Sequence, residues 1–437
     1  MTEIRKPDQA LMKTLPRAVP REGETYVPSR FTLTFGHKSG QYVFNTLTKQ
    51  LIRGSLPASA KAGEGFDELI EGMFLVPEGR DETAFYNGVS SVMRAYSAKK
   101  GYRYFTVLPT TACNARCVYC YEEGVKPVSM TDDTVRQTVR FILDNRAEGR
   151  AEINWFGGEP LLRPDIIDRV CAGLKAAGAD YRCKMVSNGS LVTPDIVGKM
   201  AGEWRLESLQ ISMDGAEKDY IPRKNYFACD GAYFKVIAGV DAMAGAGIRV
   251  TVRCNVDGDN WANIPEFLND MERRVRNKRN VTIYFAPLFQ ARESGGDLEL
   301  YQKILDARQT VISAGFRTTG TGAYAGRFRV FHCMADSGAA VIGPDGSLYP
   351  CEHCPPQARF GDIFRGVTDE NARFKFCRAD ATREKCLTCP FLPHCTSFAA
   401  CPITDAHCRE VMRMLTLAAL EDIIDDAGGD AAEQPDC

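Results

Sequence analysis

The sequence has no long apolar run and no marked excess of charge of either sign. No stretch approaches the ~20 consecutive apolar residues that a membrane-spanning helix needs. Residues 1–22, MTEIRKPDQALMKTLPRAVPRE, lack the apolar core of a secretion signal. Lys and Arg total 54 and Asp and Glu total 56, so the net charge of −2 provides no general attraction to nucleic acid or to anionic membranes. We therefore expect a cytoplasmic protein without nucleic-acid or membrane partners.

Histidine is scarce, with five residues, whereas cysteine is abundant, with 17 among 437 residues. A disulfide framework is one explanation, but the count is odd and no secretion signal is present. Such frameworks also belong mostly to small secreted domains that lack a sufficient core. In a reducing compartment, clustered cysteines more often bind metal. The composition therefore predicts metal or iron–sulfur sites.

Shifts in composition and hydrophobic periodicity divide the chain into six parts. The pattern RFTLTFGHKSGQYVFN predicts a hairpin, with a helix following near residues 45–53. A cysteine-rich segment and an acidic tail follow a long central region of alternating strands and helices. The predicted parts are a flexible arm (1–30), a small α/β module (31–100), the alternating region (101–290), a bridge (291–330), the cysteine-rich segment (331–420) and the tail (421–437).

The alternating region predicts an α/β fold built as a partial (β/α)6 barrel of the TIM type. Six predicted strands are separated by amphipathic helices, which is typical of parallel β/α units. Unusual polar or glycine-rich segments follow the strands in turn: three cysteines, then GGEP, SNGS and SMDG, with Arg253 near the end of the fifth strand. Since the carboxyl ends of parallel strands meet at one face, we expect one site there.

The segment TACNARCVYCYEEG carries three cysteines, Cys113, Cys117 and Cys120, in a C-x3-C-x2-C pattern. A structural zinc ion takes four ligands, and a 4Fe–4S cube takes one thiolate for each iron. Three cysteines leave one corner open, and no histidine lies near this loop. An open corner is what a bound ligand requires.

The triad after the first barrel strand, together with GGEP after the second, resembles the radical S-adenosylmethionine (SAM) enzymes. The resemblance implies that Cys113, Cys117 and Cys120 bind a 4Fe–4S cluster whose open iron binds the amino and carboxylate groups of SAM. The GGEP segment would receive the methionine ammonium, with Glu159 accepting from it, and Arg253 would pair with the carboxylate. Tyr119 would lie near the adenine, and the three residues from SNG and SMDG would contact the ribose or the carboxylate. The residues so implied in cofactor binding are Tyr119, Gly157, Gly158, Glu159, Pro160, Ser187, Asn188, Ser212 and Arg253.

The same resemblance implies the reaction. A reduced cluster donates an electron to SAM, which yields methionine and a 5′-deoxyadenosyl radical that removes hydrogen from an unactivated carbon. A low-potential ferredoxin or flavodoxin is the implied electron donor. The sequence leaves the role of Asp214 open between cofactor binding and a simple Asp-Gly turn.

The C-terminal cysteines are similar to the SPASM extension of peptide-modifying radical SAM enzymes, which binds two auxiliary 4Fe–4S clusters. One departure is that five residues, rather than three, separate Cys395 from Cys401. A fourth ligand of the first cluster could be Cys354 or a substrate thiolate, and a zinc ribbon is the alternative for the second set. Glu352 would act as a catalytic base or contact the substrate. The implied ligands are Cys333, Cys351 and Cys401 for the first cluster, and Cys386, Cys389, Cys395 and Cys408 for the second. We expect Cys354 as the fourth ligand of the first cluster, because it lies three residues from Cys351.

Enzymes with this extension mostly modify ribosomally made peptides, so the resemblance implies a precursor peptide with a leader as the substrate. Residues 31–100 loosely resemble leader-recognition modules, which add a peptide strand to a sheet edge; a structural cap is the other interpretation. Three functions remain open. They are a maturase forming a thioether or carbon–carbon crosslink, a sulfatase-type maturase forming formylglycine from Cys or Ser, and a non-enzymatic zinc or iron–sulfur protein.

Overall fold

The N-terminal part of the chain folds into two small antiparallel sheets. In the first sheet the order is β1-β5-β4-β3, and in the second it is β6-β2-β7. Three helices accompany them, α1 (Gln9–Met12), α2 (Asp67–Glu71) and α3 (Glu82–Ala98). The strands are β1 (Thr2–Arg5), β2 (Thr25–Pro28), β3 (Thr32–His37), β4 (Gly40–Asn45), β5 (Leu51–Arg53), β6 (Ala60–Lys61) and β7 (Leu75–Pro77). This computed structural model describes residues 2–13, 15, 18–98, 101–227, 229–288, 298–319, 338–353, 356–373, 384–394 and 408–429.

Two local expectations for this part are wrong. Residues 1–30 are not a flexible arm throughout, because β1 pairs with β5 and β2 lies between β6 and β7. No helix forms near 45–53, because Asn45 accepts hydrogen bonds from the backbone of Leu47 and Thr48, at 2.9 and 3.0 Å, and reverses the chain. Lys49 then takes a left-handed φ of 64° and leads into β5. The hairpin of β3 and β4 is confirmed.

The central region forms a parallel sheet with the order β13-β12-β11-β10-β9-β8, as the alternating pattern predicts. Thr131 caps the first helix by accepting from the Thr134 amide at 3.2 Å. The strands are β8 (Tyr104–Val107), β9 (Ala151–Trp155), β10 (Tyr181–Ser187), β11 (Leu206–Ser212), β12 (Arg249–Val256) and β13 (Val281–Pro287). The helices are α4 (Asp132–Asn145), α5 (Pro164–Ala176), α6 (Pro194–Ala201), α7 (Glu217–Lys224), α8 (Ala232–Gly245) and α9 (Ile264–Arg274).

The cysteine-rich region continues this sheet on the other side of β8. Strand β14 (Ala339–Ile342) pairs parallel with β8 and antiparallel with β15 (Ser347–Tyr349). Two short antiparallel strands complete the edge. The remaining elements are α10 (Leu298–Ser313), β16 (Gly361–Asp362), β17 (Gly366–Val367), α11 (Glu370–Arg373) and α12 (Cys408–Gly429).

The N-terminal module packs against residues 384–394 and α12. Thr83 Oγ1 donates to the Leu387 carbonyl at 2.9 Å, and Thr46 Oγ1 donates to the Pro390 carbonyl at 2.6 Å. Apolar side chains of β3 and β4 share a cluster with Phe391 and with α12. Helix α12 also continues into the segment expected as an acidic tail, up to residue 429. Within the described residues, no helix is long and apolar enough to cross a membrane.

Candidate functional site

The cysteine triad lies in the loop between β8 and α4, at the carboxyl edge of the parallel sheet. The Cys120 amide donates to the Cys117 carbonyl at 3.0 Å, which forms a tight turn between the last two cysteines. Burial raises the pKa of the Cys113 thiol to about 11, and negative charge on Glu159, Cys117 or Cys120 adds to this shift. The environment of Cys113 thus disfavours a thiolate in the absence of a bound cation.

The loop that carries the triad is bound to the end of helix α7 by backbone hydrogen bonds. The Arg116 amide donates to the Lys224 carbonyl at 3.1 Å, and the Val118 amide donates to the Arg223 carbonyl at 3.0 Å. Asn225 ends the helix in a left-handed conformation with φ of 45°. These contacts fix the backbone between the first and third cysteines.

The two glycines of GGEP pack directly against the backbone of the cysteine loop. A Cβ atom on Gly157 would lie 2.3 Å from the Thr110 carbonyl oxygen, and one on Gly158 would lie 2.3 Å from that of Ala112. Gly157 also has a φ of +121°, a conformation that other residues rarely adopt. The glycines therefore allow the β9 loop to support the cysteine loop, a role that the sequence did not reveal.

Glu159 is fully buried and accepts three hydrogen bonds. Its carboxylate accepts from the Leu161 amide at 3.0 Å, from Ser187 Oγ at 2.9 Å and from the Asn188 amide at 2.8 Å. Burial raises its pKa to about 7, although these donors oppose the shift. A nearby cation, such as an ammonium group, would stabilise the ionised form of this buried carboxyl group. The contacts of Glu159, Ser187 and Asn188 with SAM stay predictions.

Tyr119 joins a buried polar network. Its hydroxyl donates to Asp214, and Lys224 Nζ donates to the Tyr119 oxygen at 2.7 Å. Asn255 Nδ2 donates to Asp214 Oδ1 at 2.9 Å. Burial lowers the pKa of Lys224, but Asp214, Tyr119 and other neighbouring groups together outweigh burial, so the pKa rises. Asp214 is thus part of a network rather than only a turn residue, and Lys224 and Asn255 are members that sequence reasoning missed.

Ser212 and Arg253 are neighbours across the sheet. They are paired residues in the parallel register of β11 and β12, next to the Asp214 network. Arg253 Nε donates to Asn255 Oδ1 at 3.0 Å. This places a guanidinium and a hydroxyl at one edge, where both could approach an anionic group; their contact with SAM stays a prediction.

A ring contact connects the triad loop with the segment that contains Cys351. Cys351 follows β15, and its thiol lies 3.6 Å from Glu352 Oε2. Tyr121, directly after Cys120, lies with its ring centroid 4.1 Å from that of His353. The two cysteine segments are therefore in contact. The catalytic role expected of Glu352 stays a prediction.

The segment predicted to bind the second cluster is described in part. The Cys389 amide donates to the Cys386 carbonyl at 3.1 Å, and Cys386 is buried. The described ranges contain no group of three or more His, Cys, Asp or Glu placed to hold a single metal ion. Cysteine sulfur is the donor that iron–sulfur clusters take, so the residue types in this segment fit such a cluster. Outside the described residues lie Cys333, Cys354, Cys395 and Cys401.

Comparison with known proteins bears on this arrangement. Residues 107–271 match the radical SAM superfamily, from the end of β8 into α9, and include the triad, GGEP and Arg253. These residues therefore form a radical SAM domain, and the protein is an enzyme. Members of this superfamily bind SAM, also written AdoMet, and a 4Fe–4S cluster.

Individual relatives are distant. The AdoMet-dependent heme synthase of Methanosarcina barkeri is 22% identical over 325 residues, covering 67% of this chain and 89% of its own. Native anSMEcpe with bound AdoMet superposes with a TM-score of 0.58 at 16% identity, over 74% of this chain and 99% of that chain. Streptococcus suis SuiB bound to precursor peptide SuiA gives a TM-score of 0.52 at 15% identity, over 85% and 94%. The two structural likenesses indicate a shared fold.

Proposed function

We propose that this radical SAM enzyme is a maturase that forms a thioether or a carbon–carbon crosslink in a ribosomally made precursor peptide. The observation that carries the proposal is the contact between Tyr121 and His353, at 4.1 Å. It joins the loop of the SAM-type triad to the segment of Cys351, so the two cysteine segments face one another. A substrate held between them would lie within reach of both.

The residues of the chain would act mainly by binding and positioning. Cys113, Cys117 and Cys120 would hold the SAM-binding 4Fe–4S cluster, and the buried carboxylate of Glu159 and the guanidinium of Arg253 would orient SAM. When SAM and the cluster are bound and reduced, they supply a 5′-deoxyadenosyl radical. The backbone contacts of α7 and of the β9 loop would keep the triad rigid, which favours one geometry for hydrogen abstraction.

Support for a peptide substrate comes from the structural neighbours. SuiB is described with precursor peptide SuiA, and native anSMEcpe with a Kp18Cys peptide. The SuiB likeness extends over 85% of this chain, against 75% for the anSMEcpe–peptide complex. The broader coverage favours the crosslinking maturase over the sulfatase type. An auxiliary cluster on each cysteine set and a ferredoxin or flavodoxin as reductant are part of the proposal.

The reaction class is tested by SAM cleavage. After anaerobic iron and sulfide reconstitution, dithionite should produce 5′-deoxyadenosine from SAM. Replacing Cys113, Cys117 and Cys120 together with Ala should abolish this product, whereas Cys229→Ala, outside all three sets, should retain it. Undiminished cleavage in the triple variant would disprove the assignment of the triad.

The substrate class needs a second experiment. The enzyme would be co-expressed with a short cysteine-containing peptide encoded beside its gene. Either crosslink would lower the peptide mass by two hydrogen atoms, and a thioether would also protect the peptide cysteine from alkylation. Formylglycine would react with a hydrazide and indicate the sulfatase-type alternative, which the higher TM-score of anSMEcpe keeps open. A peptide that remains unmodified and fully alkylated would argue against both products.

A further inference from the structure

Arg30, in the N-terminal part of the chain, contacts the cysteine-rich segment. It lies between β2 and β3, and its Nη1 donates to the carbonyl of Leu387, between Cys386 and Cys389. The guanidinium also stacks on Phe31, with its carbon 4.6 Å from the ring centroid. Arg30 therefore touches the turn that carries two proposed cluster ligands.

Two of the three nitrogens of this guanidinium, Nε and Nη2, are buried. Neither has a hydrogen-bond acceptor within the part of the chain that the structure describes. Leaving buried donors of a charged group unsatisfied is unfavourable, so such atoms call for an explanation. Burial lowers the pKa of Arg30, and negative charge on Glu82, Asp81 or Cys389 opposes that shift. The effect of Cys389 is the smallest of the three, but Cys389 is the one of these groups that belongs to the turn contacted by Arg30.

The surroundings hold the side chain in this position. The backbone amide of Arg30 donates to Glu82 Oε2 at 2.9 Å, which ties it to α3. Thr83, next along that helix, donates to the same Leu387 carbonyl at 2.9 Å. These contacts keep the guanidinium of Arg30 in place beside the turn between Cys386 and Cys389.

We propose that Arg30 is a positioning residue that stabilises negative charge on an iron–sulfur cluster bound through Cys386 and Cys389, with Nε and Nη2 donating to its sulfur atoms. The inference rests on the proposed function, which includes that cluster. A guanidinium offers its donors in a rigid fork suited to several acceptors at once. Hydrogen bonds to the sulfur atoms and a nearby positive charge both raise the reduction potential of such clusters. The N-terminal module would then be part of an electron-transfer site, in addition to any role with a leader.

The test uses the full chain with Cys113, Cys117 and Cys120 replaced by Ala, so that only auxiliary clusters contribute. In that background, Arg30→Gln should shift the midpoint potential of one cluster to a more negative value in an EPR-monitored redox titration. Arg30→Lys, which keeps the charge, should shift it less. Arg80→Gln is the matched control, because Arg80 belongs to the same module and also stacks on a phenylalanine, Phe85, at 4.1 Å.

Thermal melting of the metal-free proteins separates this role from simple packing. Loss of part of the iron from Arg30→Gln, with an apoprotein that melts like the parent, would also support the inference. Unchanged potentials in Arg30→Gln with normal iron content would overturn it. Absence of iron from the triad variant itself would instead show that the proposed auxiliary clusters are wrong, and Arg30 would lose this role with them.

Discussion

Lys224 Nζ lies 3.3 Å from Asp214 Oδ2, and both side chains are almost completely buried, with exposures of 3% and 0%. This ion pair joins α7 to the loop after β11, and both of its partners form hydrogen bonds with the hydroxyl of Tyr119. Since the backbone of Lys224 also accepts from Arg116, the same residue supports the triad loop in two ways. The network is therefore a structural foundation of the site.

Lys224→Met should strongly destabilise the metal-free protein. It leaves the Asp214 carboxylate buried without its cation, so we expect a loss of about 3–5 kcal/mol in the free energy of unfolding. Urea unfolding followed by circular dichroism measures this. Lys218→Met is the control on the same helix, because Lys218 pairs with Glu266 in solvent, and it should cause no measurable change. Equal midpoints for the two variants would contradict the role of the buried pair.

Gly158→Ala tests the contact between GGEP and the cysteine loop. The added Cβ would lie 2.3 Å from the carbonyl oxygen of Ala112, which is backbone and cannot rotate away. Forcing these loops apart should lower the free energy of unfolding by about 1–3 kcal/mol and reduce iron binding by the triad. Gly198→Ala lies at an exposed position of α6, where no described atom lies within 4 Å of the added Cβ. This variant should instead raise the free energy of unfolding by up to about 1 kcal/mol. Thermal melts and iron assays of both variants decide the matter.

Glu159→Gln should change how stability depends on pH. The folded-state pKa of Glu159 is about 7, above its usual 4.5, so the folded protein holds this proton more tightly than the unfolded chain. The stabilisation is complete below about pH 4.5 and is lost as pH rises through 7. Gln cannot ionise, so the variant lacks this loss. The free energy of unfolding of Glu159→Gln, relative to that of the wild type, should therefore rise by about 3 kcal/mol across this window.

The comparison requires unfolding curves of both metal-free proteins between pH 4.5 and 8. Glu266→Gln, at an exposed ion pair, controls for loss of a surface charge. A constant difference between Glu159→Gln and wild type over the whole range would disprove the raised pKa.

The parallel sheet could be predicted because its signals are local. Most strands from β8 to β13 alternate buried apolar residues with polar ones, and amphipathic helices separate the strands. Thr131 marks the start of α4 by its own side chain. The triad was also local, since its three cysteines share one loop. The pairing order of neighbouring strands followed from the handedness and length of βα units.

The parts that sequence reasoning missed depend on contacts between distant residues. Strand β1 forms only because β5 lies beside it, and its short polar sequence gives no period of its own. Lys224 lies 105 positions from Tyr119, so nothing local separates it from a solvent-exposed lysine. Asn45 is an exception, because an asparagine that bonds to the backbone two residues later is a known turn signal that could have been used.

The contact between Tyr121 and His353 gives the last prediction. Tyr121→Ala and His353→Ala should each weaken the association of the triad loop with the Cys351 segment, and the double variant should lose less than the sum. Aromatic pairs of this kind contribute about 0.5–1.5 kcal/mol beyond area burial, so we expect a coupling energy of that size in a double-mutant cycle of the metal-free protein. Tyr121→Phe, which keeps the ring, should retain the coupling. If the losses in free energy of unfolding are additive, the contact between the two rings contributes no coupling energy. The triad loop and the Cys351 segment would then be positioned independently.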